Sequence, residues 1–138
     1  MKTLLLTLIG IAGSMGLFGN MVFSENGDNS IEGIWLTRKG DSKIQIKYNA
    51  ADKTYSGKLI WVVGPYKEFT GEQILKNITY RKDSDSFDCP WIYDPRLGIT
   101  ASGTATVSGD TLYLKARKGI FTKSEIFTKE NSPLTGRR

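Results

Sequence analysis

Ser42-Lys43-Ile44-Gln45-Ile46-Lys47-Tyr48-Asn49, then Ala50-Ala51-Asp52-Lys53, then Thr54-Tyr55-Ser56-Gly57-Lys58-Leu59-Ile60-Trp61-Val62 is the stretch that decides the fold. In its first part Ile44, Ile46 and Tyr48 alternate with Lys43, Gln45 and Lys47. In its last part Tyr55, Gly57, Leu59 and Trp61 alternate with Ser56, Lys58 and Ile60. A period of two describes strands with one buried and one wet face. Asn49 to Lys53 joins the two as a short hairpin loop. The pattern recurs later. Leu112, Leu114 and Ala116 alternate with Thr111, Tyr113, Lys115 and Arg117, after a Ser108-Gly109-Asp110 turn whose glycine is free to take positive φ. Applied along the chain, the reading predicts strands near 31–38, 42–49, 54–62, 73–80, 86–93, 99–107, 110–118 and 121–129. The expected fold is all-β: a small antiparallel up-and-down barrel of about eight strands. No helical stretch of three turns is convincing. The least regular piece is Val63 to Glu72, a long loop with Gly64, Pro65 and Gly71.

Upstream of this domain the chain has a different character. Lys2 is the only charged residue before Glu25, and Leu4 to Ile11 is a leucine-rich apolar run. Val22 and Ser24 suit the positions a signal peptidase reads. A charged start, an apolar centre and such a site make a secretory signal, with cleavage expected after Ser24. A retained membrane anchor is the weaker reading, because Gly10, Gly13, Gly16 and Gly19 interrupt the apolar segment and a span wants about 20 predominantly apolar residues. The expected organisation is a signal peptide over 1–24, a flexible lead over 25–30, one barrel domain over 31–130 and a flexible basic tail over 131–138. The expected location is therefore outside the cytoplasm, periplasmic or secreted.

Composition excludes several functions. The formal charge of the 138 residues is +5, and removal of Lys2 lowers it by one. That is too mild for a nucleic-acid footprint. The basic residues late in the chain, such as Lys115, Arg117 and Lys123, fall on alternate strand positions and read as a solvated face, with attraction to an anionic surface as the sharper alternative. There is no histidine, which removes the Ser-His-Asp triad, imidazole acid–base chemistry and His-rich zinc sites. Cys89 is the single cysteine, so no internal disulfide forms; it reads as an inert, half-buried thiol. Asp83, Asp85 and Asp88 lack the full ligand series of a calcium loop and read as a solvated hairpin. The sequence calls for no metal and no cofactor.

The candidate site comes from strand direction. Trp61 ends the third predicted strand and Tyr93 the fifth, so both strands run the same way and end at the same rim. Val63–Glu72 would lie over that rim as a partial lid. A ligand there would meet Trp61, Trp91 and Tyr93, with Asp94 as its polar anchor. Asp94 also has a plainer reading. In Ile92-Tyr93-Asp94-Pro95-Arg96-Leu97-Gly98 it can bond its own backbone two residues on, Pro95 fixes φ, and Gly98 supplies a left-handed position. That makes a tight hairpin connection and needs no function.

Two resemblances add to this. Gly33-Ile34-Trp35 resembles the first-strand signature of lipocalins and their relatives. That likeness implies a tryptophan closing one barrel end under a basic side chain from the last strand, here Lys129 through a cation–π contact. More specifically, Gly33-x-Trp35, Ser56-Gly57-Lys58-Leu59-Ile60-Trp61, Ile74-Leu75-Lys76-Asn77, Trp91-Ile92-Tyr93-Asp94-Pro95 with Gly98, and Thr128-Lys129 after an aromatic occur in this order. Together they resemble the exported bacterial family known as domain of unknown function 2147. The resemblance implies an exported barrel-like fold and no assigned activity. The chain departs from it in two places. The segment between Val62 and Gln73 is short, and Cys89, Pro90 and Trp91 stand where glycines are usual.

Three functions remain open. One is an exported module binding a small apolar or amphipathic ligand. Another is an envelope interaction or structural protein with a filled barrel. The least supported is a carboxylate enzyme built on Asp94 and a tyrosine, since no nucleophile–base pair accompanies them. An open or a packed barrel interior separates the first two.

Overall fold

The computed structural model describes residues 31–130. The expected signal peptide, flexible lead and basic tail lie outside the described residues. The strands are β1 (Gly33–Thr37), β2 (Ser42–Asn49), β3 (Thr54–Val62), β4 (Gln73–Arg81), β5 (Ser86–Asp94), β6 (Ile99–Ser108), β7 (Thr111–Lys118) and β8 (Phe121–Lys129), with a 3-10 helix over Gly64–Phe69 between β3 and β4. Each strand pairs antiparallel with the next, and β8 returns to β1, so the sheet closes as an up-and-down barrel. Closure rests on a short seam: Trp35 faces Lys129, Leu36 faces Thr128 and Thr37 faces Phe127.

The alternation read from the sequence builds the core. Ile44 and Ile46, Tyr55 and Leu59, Leu112 and Leu114 are all buried, and Trp35, Ile78, Phe87, Ala105 and Phe127 join them. Tyr55 meets Phe87 edge-on at 5.9 Å between ring centroids, and Tyr80 lies 5.1 Å from the same ring. The barrel is narrow enough for such side chains to fill.

One end is closed by a small assembly around Trp35. Its indole is fully buried, its Nε1 donates to the Ile31 carbonyl at 2.9 Å, and the Lys129 ammonium stands 5.4 Å from the ring centroid. The glycine of Gly33-Ile34-Trp35 has a steric reason. Its φ is +135°, and a Cβ there would come within 2.8 Å of Lys129 Cε. Glycine at this position is what lets the lysine lie over the tryptophan.

The turns use the expected chemistry. Asn49 Oδ1 accepts the Ala51 N–H at 3.0 Å, and Asp52 Oδ1 accepts the Thr54 N–H at 3.2 Å. The hairpin between β5 and β6 is bonded from Gly98 N–H to the Asp94 carbonyl at 2.8 Å, with Gly98 at φ +67°.

Register shifts interrupt three ladders: β3–β4 slips on either side of Gly57, and β2–β3 and β5–β6 each carry a bulge that breaks the period of two. Between β2 and β3, Ile44 faces Leu59 while Lys43 faces Trp61, so Ile60 is an extra residue. Between β5 and β6, Cys89 faces Gly103 while Ile92 faces Ala101, so Pro90 and Trp91 together oppose one residue. Each bulge reverses which face the following side chains take.

Candidate functional site

The barrel has two unlike ends. The Trp35 end carries the short connections between β2 and β3, β4 and β5, and β6 and β7. The opposite rim carries the β1–β2 turn, the 63–72 segment, the β5–β6 turn and the β7–β8 turn. Trp61 and Tyr93 both approach this second rim, as strand direction requires.

Because of the bulges, the aromatic residues near this rim stand on the outer face. Trp61 lies opposite Lys43, whose neighbour Ile44 points inward, and the Lys43 ammonium sits 5.2 Å from the Trp61 ring. Lys43 also pairs with Glu130 at 2.6 Å. Past the second bulge Ile92 packs on the core, so Trp91 and Tyr93 turn outward. Their rings stack 5.7 Å apart at 18°, and the Lys76 ammonium lies 4.3 Å over Trp91. The structure thus brings Trp91 and Tyr93 together, with Asp94 next along the strand. Trp61 lies two strands away, across β4.

Asp94 is engaged by its own turn. Oδ1 accepts the Arg96 backbone N–H and Nε, each at 3.0 Å, and Oδ2 takes Nη2 at 2.8 Å. These bonds hold the Asp94 carboxyl below its ordinary range, against the opposing effect of partial burial, and the charges of Arg96 and Lys123 add to the lowering. Arg96 is raised in turn, first by its bond to Asp94, against partial burial, with the charges of Asp94 and Glu125 adding to the rise. A carboxylate so held is an ion-pair partner and a poor proton carrier at neutral pH. Its folded pKa is depressed, so its stabilisation is present above the unfolded value of about 3.9 and is lost as pH falls through the folded value. Asp94→Asn should therefore cost stability at neutral pH, by less than about 1 kcal/mol for so exposed a pair. The gap from the unmodified protein should close in strong acid. Urea titrations at both pH values check this, and a gap that grows in acid would contradict it.

Cys89 is buried, and burial, aided by the Asp88 charge, pushes its thiol up to about 12. It is chemically quiet. The acidic hairpin is internally satisfied: Arg81 pairs with Asp88 at 2.8 Å and lies 3.7 Å from Asp83, while the Tyr80 hydroxyl donates to Asp85 at 2.7 Å. Among the described residues no group of His, Cys, Asp and Glu is arranged to hold a metal ion.

Two concavities stand out, and both are on the outside of the sheet. One, of about 280 Å³, sits at the Pro90 bulge beside Ser102 and Arg117. The other, of about 290 Å³, lies on the polar outer face among Gln45, Lys47, Ser56, Lys58 and Gln73. Neither touches Trp61, Trp91, Tyr93 or Asp94.

A family model described as an uncharacterized protein conserved in bacteria (DUF2147) matches residues 33–129. The chain belongs to that family. The match runs from the first residue of β1 to the last of β8, so the family unit and the closed barrel coincide. No match was found among curated proteins or solved structures. The stretch from Val62 to Gln73 holds the 3-10 helix Gly64–Phe69 at the rim. There Tyr66 and Phe69 stack at 6.1 Å.

The residues that reading for a pocket passes over are at the same rim. Ile120 is 92% and Phe121 75% exposed at the β7–β8 turn, and Leu97 is 65% exposed at the β5–β6 turn. Their signal was present in the sequence. Gly119-Ile120-Phe121 places two large apolar residues at a hairpin tip, where turn chemistry favours small polar ones.

Proposed function

We propose that this protein is an exported, non-enzymatic interaction module of the cell envelope that works through its loop-bearing rim. The observation that carries this is where the exposed large apolar side chains stand. Trp61, Val63, Tyr66, Leu97, Ile99, Ile120 and Phe121 all belong to this rim or the strand ends beside it, whereas among the described residues Tyr48 and Tyr113 alone lie elsewhere. Single exposed apolar residues need no explanation, but a concentration on one end marks an interaction surface. A small apolar or amphipathic ligand inside the barrel is the less supported reading. Trp35, Phe87, Ile78 and Leu112 fill the interior, and the candidate rings of Trp61, Trp91 and Tyr93 face outward. Export is supported by the charged start, apolar run and cleavage site of the N-terminus.

A photo-crosslinking amino acid placed at Phe121 tests the rim directly in cells making the full chain. It should yield adducts that the same group at Asp83, on the opposite end, does not. Equal yields from the two positions, or none from Phe121, would overturn the proposal.

A further inference from the structure

We infer that the rim docks on the surface of an anionic lipid bilayer, an inference that rests on the rim being the working surface. Three observations point to it.

The first is the form of the apolar groups. They do not line a groove. Ile120 and Phe121 crown one hairpin, Leu97 crowns the next, and Tyr66 projects from the 3-10 segment. Separate apolar tips set around one rim suit a surface that deforms around each of them. A protein partner would more naturally be met by one continuous, well-packed patch. The mix of aliphatic tips with tyrosine and tryptophan also matches what partitions into the headgroup boundary.

The second is how the tips are presented. β8 meets β1 only from Phe127 onward, yet it pairs with β7 as far as Phe121. The outer half of this hairpin therefore extends past the last rung of the closing seam. It is braced by the Lys118 ammonium, which donates to the Thr100 carbonyl at 2.8 Å. The tip is thus carried by ladder-bonded strands.

The third is charge. At the rim, Asp94 is neutralised by Arg96 at 2.8 Å and Glu125 by Lys123 at 3.2 Å. Arg38, Lys39, Lys67, Arg117 and Lys118 then outweigh Asp41, Glu68 and Glu72. At the Trp35 end, among the described residues, Arg81 offsets one of Asp83 and Asp88, and the remaining carboxylate with Glu32, Asp52, Asp85 and Asp110 outweighs Lys53, Lys82 and the Lys129 that stands over Trp35. The barrel is polarised along its axis, and its basic end is its apolar end. An anionic surface would attract that end and turn the other away.

Flotation of the purified processed protein with vesicles tests the inference. The protein should float with phosphatidylcholine vesicles containing phosphatidylglycerol, far less with phosphatidylcholine alone, and less as salt rises. Ile120→Asp with Phe121→Asp should weaken partitioning by more than about tenfold, because two large apolar side chains no longer leave water. Tyr113→Asp, exposed but away from the rim, should float as the unmodified protein does. An unchanged thermal midpoint in the double variant would show that the fold is intact, as the exposure of both residues leads one to expect. Absence of flotation, or flotation indifferent to the double substitution, overturns the inference. If the Phe121 crosslinker then captures a protein while vesicles bind nothing, the rim remains the working surface and the lipid partner is wrong. If it captures nothing either, both readings fall together.

Discussion

Trp35→Ala should cost about 3–5 kcal/mol of unfolding free energy, the range for deleting a large aromatic from a core. Every contact that closes the Trp35 end would be touched. The indole is fully buried, so its removal leaves a cavity the rigid barrel end cannot collapse into. The Ile31 carbonyl loses its 2.9 Å donor while remaining among buried residues, and an unsatisfied buried acceptor adds its own penalty. The Lys129 ammonium loses the ring it stands over at 5.4 Å. A small domain has only about 5–15 kcal/mol in total, so the variant should unfold at a much lower urea midpoint. Trp35→Phe keeps a ring but not the N–H, and should fall between. A loss below about 1 kcal/mol for the alanine variant would show that this end is not held by Trp35.

The strands around that tryptophan were legible because their signals are local. Alternation over Ile44, Ile46, Tyr55 and Leu59, and side chains such as Asn49, Asp52 and Asp94 able to bond their own turns, need no knowledge of the rest of the chain. The common rim of Trp61 and Tyr93 was legible for another reason: it depends only on strand order and direction, which a bulge leaves unchanged.

The faces of the candidate residues were harder to read, because parity does not survive a bulge. Continuing the alternation from Tyr55 through Leu59 puts Trp61 inside. The extra residue Ile60 puts it outside, against Lys43. In Leu59-Ile60-Trp61-Val62-Val63 every side chain is apolar, so nothing in composition marks where the parity changes. Pro90 did carry a mark, since proline within a strand signals an edge or a bulge. Followed through, it would have sent Trp91 and Tyr93 outward and Ile92 inward. The apolar tip at Ile120 and Phe121 was visible as well, but a search for an enclosed site gives exposed residues no weight.

Gly103 should prove the least replaceable of the glycines in the strands, and its substitution is expected to be as damaging as that of Trp35. It lies in β6 between two neighbours, facing Cys89 on β5 and Ala116 on β7. A Cβ built on it would fall 1.9 Å from the Lys115 carbonyl oxygen and 3.0 Å from Ala116 Cα. Both are backbone atoms, so no side-chain rotation relieves the clash. Gly57 offers a contrast: its Cβ would meet Leu75 Cδ1 at 2.9 Å and Ile44 Cγ2 at 3.3 Å, which are side-chain atoms able to shift. To admit even a methyl group at Gly103, β7 must move away from β6. The register from Ser102–Arg117 to Ser108–Thr111 resists that movement. Overpacking of an interior ordinarily costs about 1–3 kcal/mol and occasionally more. With backbone as the obstacle, Gly103→Ala should reach about 3 kcal/mol, and Gly103→Val should fail to give folded protein. The exposed neighbour Thr104, changed to alanine, should stay within about 0.5 kcal/mol. Urea unfolding of the alanine variant and near-ultraviolet circular dichroism of the valine variant are the measurements. A Gly103→Ala protein as stable as the original would mean that β7 yields at Lys115, and that the sheet there is far softer than its unbroken register implies.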